Sequence, residues 1–376
     1  MTAEPGVERD TPLAHILKSI IRRSGPMPVA TYMAHCLWDG DHGYYATKTV
    51  LGRDGDFITA SDISQTFGEL LGLWAGIVWQ QVMGGPPQVR LVEYGPGRGT
   101  LMRDAVRATR VVPGFQAAAS VRLVEMSATL HAEQQAALAD CALPVTWGQN
   151  LAGFEAPAII FANEFLDSWP VTQWVKTPNG WRMRAVDLDA GGQFVFTILD
   201  DAGINSDFDL RFPGAPAGSI VERLDHNRFA AALKAVAASG PVAAVIIDYG
   251  YTDAASGDTL QALRGHAYES PFASPGEADL TTHVNFHDLA VALHHAGFQL
   301  DGPVTQAEFL GSLGIVERAS RLMAANPHRA GEIETGIARL LAPNGMGSRF
   351  KVIGVRSPFL PPLPGFAAAK VIGEAG

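Results

Sequence analysis

Cysteine is nearly absent: Cys36 and Cys141 are the only two among 376 residues. So few thiols exclude a disulfide framework and a thiolate metal cluster, and they fit a reducing compartment. No other metal-ligand spacing is present, so no metal is expected. Basic residues are also scarce, 28 against 38 acidic, for a formal charge of −10. That balance excludes sequence-independent nucleic-acid binding, which relies on clustered Lys and Arg. It is compatible with a cationic protein substrate, which it would attract. Long apolar runs are missing too. The longest, from Leu70 to Val82, is interrupted by Gln80 and Gln81 and is too short to span a bilayer, so no integral membrane contact is expected. The opening MTAEPGVERD is acidic and has neither an apolar signal region nor the Arg-rich character of a presequence, so a cytoplasmic protein is expected. What remains, 47% apolar and 18% charged, is ordinary for a globular enzyme. The length suits one large α/β domain with insertions, or two domains.

The chain is organised around VRLVEYGPGRGTLMRDAVRATR, residues 89–110. Val89, Leu91 and Val92 lead to Glu93, then Gly95, Gly97 and Gly99 alternate, and a helical pattern follows at once. That order reads as strand, tight turn and helix. Alternate glycines let the backbone turn sharply and approach a ligand where a Cβ would collide, and the helix start points free N–H groups into the same space. The combination is a nucleotide-type cofactor site at the C-terminal edge of a parallel sheet. A dinucleotide fingerprint needs G-x-G-x-x-G, but Thr100 stands where its last glycine belongs. A P-loop ending is absent as well. The Glu-x-Gly-x-Gly-x-Gly form instead resembles motif I of class I S-adenosyl-L-methionine (SAM) methyltransferases, in which the acid faces the methionine part of the cofactor. A second apolar run, VRLVEM, ends in Glu125 and Met126. The acid ending a second strand hydrogen-bonds ribose hydroxyls, in dinucleotide enzymes as well, so Glu125 alone does not discriminate.

Along the rest of the chain, residues 11–85 read as mainly helical, opening with Thr11 as N-cap and Pro12 at the first helical position. Residues 40–65 are rich in Gly, Asp and aromatics and lack periodicity; a loop of that length is more often functional than accidental. Tyr44, Tyr45 and Phe57 are equally suited to filling core beneath it. After Glu125 come a helix capped by Ser127, a short strand ending before Gln149 and Asn150, which are placed to reach an adenine, and a buried strand over Ile159, Ile160 and Phe161. Alternating runs within 171–212, punctuated by PNG and DAGG, read as an inserted antiparallel meander. A fifth strand, 242–247, ends in Asp248 and Tyr249; a structureless stretch is expected over 252–284, then a helix capped by Asn285, further helices over 308–325 and 332–341, and a final strand within 347–355. The expected division is a helical N-terminal region with a lid loop (1–85), an α/β core carrying the β insert (86–356), and a loose tail (357–376).

Four polar groups then end four parallel strands: Glu93 with its glycines, Glu125, Asn163-Glu164 and Asp248-Tyr249. A single strand-end acid is ordinarily just solvated, but strands of a doubly wound sheet end at one edge, so four together mark a site. A guanidinium acceptor, with a pKa above ~12, arrives charged. It needs carboxylates to grip its fork and localise its charge away from the attacking nitrogen. Glu164 and Asp167 are groups of that kind.

The segments at residues 55–72, 91–104, 125–127, 162–171 (ANEFLDSWPV), 246–251 (IIDYGY), 264–266 (RGH), 275–286 (PGEADLTTHVNF) and 346–352 (MGSRFKV) together resemble the MidA-like family of SAM-dependent methyltransferases. Its mitochondrial members are protein arginine methyltransferases that act in respiratory complex I assembly. The resemblance implies a class I, Rossmann-like methyltransferase sheet, SAM as cofactor, and an arginine-containing protein, such as a complex I core subunit, as partner. It also implies that Thr59 and Gln65 belong to a lid over the cofactor or substrate, and that Arg264, His266, Glu277 and Asp279 border a substrate channel. His266 has a competing reading, favoured over that of a proton acceptor, as a structural histidine between loop carbonyls. Where the family has runs closer to ITSPEISQ and ANEFFDALPV, this chain has Ala60-Ser61-Asp62 and Leu166-Asp167-Ser168-Trp169, mild departures that leave the cofactor expectation intact. Two other readings remain open: a small-molecule N- or O-methyltransferase, and a SAM-binding assembly chaperone without turnover.

Overall fold

The apolar runs and the helical segments between them alternate as strands and helices of an α/β fold. The structure, a computed structural model, describes residues 9–47, 59–199, 207–253 and 255–366. Phe57 and most of the expected lid loop, residues 48–58, lie outside the described residues, as does the end of the tail beyond 366. The chain divides into two compact units, each built from three segments: Met1–Phe57, Asp167–Asp225 and Asp253–Val284 in one, Ile58–Leu166, His226–Thr252 and Asn285–Gly376 in the other. The helical region read as 1–85 is thus shared between the units, and the meander belongs with the N-terminal helices.

The larger unit contains strands β1 (Val89–Tyr94), β2 (Ala119–Val124), β3 (Val145–Gly148), β4 (Ala158–Asn163), β5 (Val242–Tyr251), β6 (Gln299–Thr305) and β7 (Phe350–Arg356). Their order across the sheet is β3-β2-β1-β4-β5-β7-β6. Neighbours from β3 to β5 pair in parallel, and β7 runs antiparallel between β5 and β6. The order reverses between β1 and β4, and a crevice for ligands opens at such a switch point, outside the carboxyl ends of the strands. Every residue of β4 is buried, as a strand covered on both faces requires. The helices are α1 (Gln65–Ile77), α2 (Thr100–Ala108), α3 (Ala128–Ala137), α4 (His226–Ala237), α5 (Phe286–His295), α6 (Gln306–Ser312), α7 (Ile315–Ala325) and α8 (Ala330–Leu341). The core joins Phe67, Leu71 and Trp74 of α1 to Leu91, Met102, Leu123, Phe161, Val245 and Phe309.

Two expectations are corrected in this unit, and one strand was not foreseen. One helix over 308–325 is two, broken where Gly314 takes φ +80° as the N-cap of α7, a conformation that costs glycine little. Strand β6 was not legible, because its sequence QLDGPVT is interrupted by Gly302-Pro303 and its pairing with β7 shifts register between Asp301 and Val304. The supposedly loose tail is packed as far as Phe366: Leu360, Leu363 and Phe366 are buried in the core, and Trp74 Nε1 donates to the Pro364 carbonyl at 2.9 Å.

The smaller unit is antiparallel. The expected meander is present as Val171–Thr177, Gly180–Leu188 and Phe194–Leu199; Ile220–Leu224 pairs with its first strand, and Met27–Pro28 pairs with Ala185 and Val186 of its middle strand. Helix Pro12–Ser24 begins as read, with Thr11 accepting from the Ala14 N–H at 3.1 Å. It packs with Val29–Trp38 in a core that includes Leu17, Tyr32, Tyr44, Val186 and Phe194. The stretch expected to be structureless holds a small sheet of Gln261–Arg264, Ala267–Glu269 and Asp279–Thr281. Strands of three or four residues are too short for alternation to reveal. No helix among the described residues is long and apolar enough to cross a membrane.

Candidate active site

At the end of β1 the turn carries the conformations that its glycines foretold. Gly95, Gly97 and Gly99 have φ of +62°, +52° and +78°, values that side chains with a Cβ disfavour. A Cβ on Gly95 would also lie 2.7 Å from the Phe165 ring. Gly99 is the N-cap of α2, so the helix's first free N–H groups open beside the strand end. Glu93 is 3% exposed, and its Oε2 has no hydrogen-bond partner among the described residues. Burial pushes its carboxyl well above the usual range; the Met102 N–H opposes the shift and the charge of Glu125 adds to it. Tyr94 beside it donates its hydroxyl to the Leu151 carbonyl and stacks on Phe165 with centroids 5.6 Å apart.

At the end of β2, Glu125 Oε1 accepts from the Ser127 N–H at 2.8 Å and Oε2 from Gln134 Nε2 at 3.0 Å. Burial raises its pKa against those donors. Met126 is 67% exposed, and Gln149 and Asn150 are exposed just past β3. Gln134 did not emerge from the sequence as a site residue. The available signal was its place one helical turn after buried Leu130 on α3, a core position occupied by an amide.

At the end of β4, Glu164 adopts φ +51°, one of two non-glycine residues with positive φ among those described. Such backbone is costly for a residue with a Cβ and collects at functional turns. Its Oε1 accepts from the Ala60 N–H at 2.9 Å and from Asn163 Nδ2 at 3.1 Å. Asn163 Oδ1 is buried with no partner among the described residues. Asp248 underpins this turn: one oxygen accepts the N–H groups of Phe165 and Leu166 at 3.2 and 2.9 Å, and the other accepts that of Tyr249 at 3.0 Å. Asp248, read from its strand-end position as a substrate-side group, is 0% exposed, and its carboxylate accepts from three backbone donors that brace the turn. Tyr249 packs on Phe350. Thr59 bonds Ser61 and Asp62 at the start of a short helix, Ala60–Ile63, and Gln65 Nε2 donates to Glu69 at 3.3 Å.

The remaining candidates belong to the smaller unit. Asp167 offers its carbonyl to the Thr282 N–H at 2.9 Å. Arg264 pairs with Glu277 at 2.9 Å, both partly exposed, and Asp279 accepts from the Tyr45 hydroxyl at 3.4 Å. His266 is exposed in the two-residue turn of the hairpin 261–269, where it and Gly265 have φ of +62° and +56°. A tight turn of that hand accounts for its position. No group of His, Cys, Asp and Glu suited to a metal occurs among the described residues.

Residues 70–304 match a family of S-adenosyl-L-methionine-dependent methyltransferases. The chain belongs to that family. It is 34% identical to the mitochondrial protein arginine methyltransferase NDUFAF7 of Mus musculus, over 90% of this chain and 83% of that protein, and 34% identical to the Danio rerio protein of the same name, over 91% and 86%. A crystal structure of a superfamily member from Burkholderia thailandensis, bound to S-adenosyl-homocysteine, is 26% identical; it superposes with a TM-score of 0.85, covering 97% of this chain and 98% of that one. The methyltransferase's own residues fit SAM. The methionine end of the cofactor brings an ammonium and a sulfonium, and the buried unpartnered oxygens of Glu93 and Asn163 are acceptors that welcome positive charge.

Proposed function

We propose that the methyl acceptor is an arginine side chain on a protein, and that the cofactor lies across the switch point with its methionine part at Glu93 and the Gly95–Gly97–Gly99 turn. In this reading Glu125 takes the ribose hydroxyls, and Met126, Gln149 and Asn150 border the adenine. The observation that carries the acceptor assignment is Glu164: a carboxylate on strained backbone, gripped by the Ala60 N–H and Asn163 Nδ2. When bound, SAM supplies an electrophilic methyl group. The chain supplies alignment, which contributes up to roughly 7–11 kcal/mol when orientation is complete. Glu164 would hold the guanidinium by charge-assisted hydrogen bonds and draw its positive charge away from the nitrogen that faces the methyl group. The relatives' names as protein arginine methyltransferases support this acceptor, and the family resemblance extends the proposal to a respiratory complex I subunit.

The test is incubation of a cell lysate with isotopically labelled SAM and the purified protein, followed by mass spectrometry. Label on protein arginine is expected; label confined to small molecules, or none despite tight cofactor binding, refutes the assignment in favour of a small-molecule enzyme or a chaperone. Glu164→Gln should leave the affinity for S-adenosyl-homocysteine within about twofold while lowering methyl transfer roughly 10- to 100-fold, the worth of one hydrogen bond to a charged group. Unchanged transfer would remove Glu164 from the acceptor site.

A further inference from the structure

Gln134 is 0% exposed, and its single amide touches two strand ends and the glycine turn that follows a third. Trp147 Nε1, at the end of β3, donates to Gln134 Oε1 at 3.0 Å. An indole N–H can only donate, so this contact fixes which end of the amide is oxygen. The amide nitrogen therefore faces the other way, where it donates to the Gly97 carbonyl at 2.7 Å and to Glu125 Oε2 at 3.0 Å. The Gln134 backbone also walls the turn: a Cβ on Gly99 would meet its Cα at 3.4 Å. Glu125 Oε1 is held independently by the Ser127 N–H. Glu125 is held at both oxygens, and each keeps lone-pair capacity for a hydroxyl donor.

We propose that Gln134 is a positioning residue of the cofactor site, locking Glu125 and the Gly97 turn in the one arrangement that receives the adenosyl ribose. The proposal rests on the reading of Glu125 as the ribose acid given above. A buried glutamine with a purely structural role would be satisfied by any three partners. Here two of the three are the cofactor-turn carbonyl and the ribose acid, and the third sets the amide's polarity.

A double-mutant cycle tests this, read by calorimetric titration of S-adenosyl-homocysteine into wild type, Glu125→Gln, Gln134→Met and the double variant. Met preserves side-chain length and removes both donors and the acceptor. Glu125→Gln should weaken binding about 10- to 100-fold and Gln134→Met about 5- to 10-fold. The double variant should lose less than the product of the two single losses, because part of what Gln134 does passes through the Glu125 carboxylate already removed and only the Gly97 contact remains to be lost. Wild-type affinity in Gln134→Met, or losses that simply multiply in the double variant, overturns the proposal while leaving the ribose reading standing. Wild-type affinity in Glu125→Gln overturns the ribose reading and the proposal with it. Should Gln134→Met fail to fold, Trp147→Phe carries the same cycle. It frees the amide to rotate, so a loss of affinity is expected where Glu125 is intact and a smaller one in the Glu125→Gln background; equal losses in both backgrounds overturn the proposal.

Discussion

Glu93 places a carboxyl at a strand end where burial favours its neutral form. Its folded pKa lies well above the usual value, chiefly through burial. A group shifted that way binds its proton more tightly in the folded chain than in the unfolded one. Its contribution to stability is therefore fully present below the unfolded value, ~4.3, and is lost as pH rises through the folded value, by up to ~1.4 kcal/mol per pH unit. Glu93→Gln removes that dependence. The cofactor-free variant should lose less of its urea midpoint than wild type as pH is raised from 4.5 to 8; equal slopes would mean that Glu93 is ionised throughout. The turn beside Glu93 was legible because glycines announce their backbone conformation locally. Gln134 and the bracing role of Asp248 were not, since nothing near either residue in sequence states which distant N–H or carboxylate it meets.

Helices α1 and α2 approach one another along glycines at helical spacing. A Cβ on Gly68 would lie 2.9 Å from the Asp104 Cβ, one on Gly72 2.2 Å from the Ala105 carbonyl oxygen, and one on Gly76 2.6 Å from Val112 Cγ2. Each glycine weakens the isolated helix by ~1 kcal/mol relative to alanine, and close packing offsets that. Gly72→Ala should therefore destabilise the protein despite its better helix propensity, by about 2–4 kcal/mol, because a backbone oxygen cannot step aside. Differential scanning calorimetry reads this as a Tm lowered by several degrees; a raised Tm would show that α1 can shift outward at little cost. The contact also brings buried Glu69 to Arg107 and Arg318 at 3.0 and 2.8 Å, the latter from α7. Helices of this length were legible from periodicity, and so were the buried parallel strands. Elements interrupted by Gly-Pro or only three residues long were not, because too few positions remain to show a period.

Over the whole molecule, each unit is assembled from three segments that the chain visits in turn. The last described residues close the larger unit: Leu360, Leu363 and Phe366 enter its core, Phe366 with its ring 5.1 Å from that of Phe309, and Asp301 accepts the Leu363 N–H at 3.1 Å. Burying an apolar side chain contributes about 1.5–3 kcal/mol, so three approach the ~5–15 kcal/mol of a typical domain's whole stability. A chain ending at Arg356 is expected to be poorly soluble and to lose its cooperative urea transition; unfolding like that of the full chain would show that the packing of 358–366 is dispensable. The order of amino acids was enough to specify the cofactor and the strand-turn-helix that carries it, since glycine spacing and the apolar period act over a few residues. Folding alone settled which acids are spent on backbone amides and which keep a buried oxygen without a partner, because desolvation and hydrogen-bond pairing depend on residues far away in the chain.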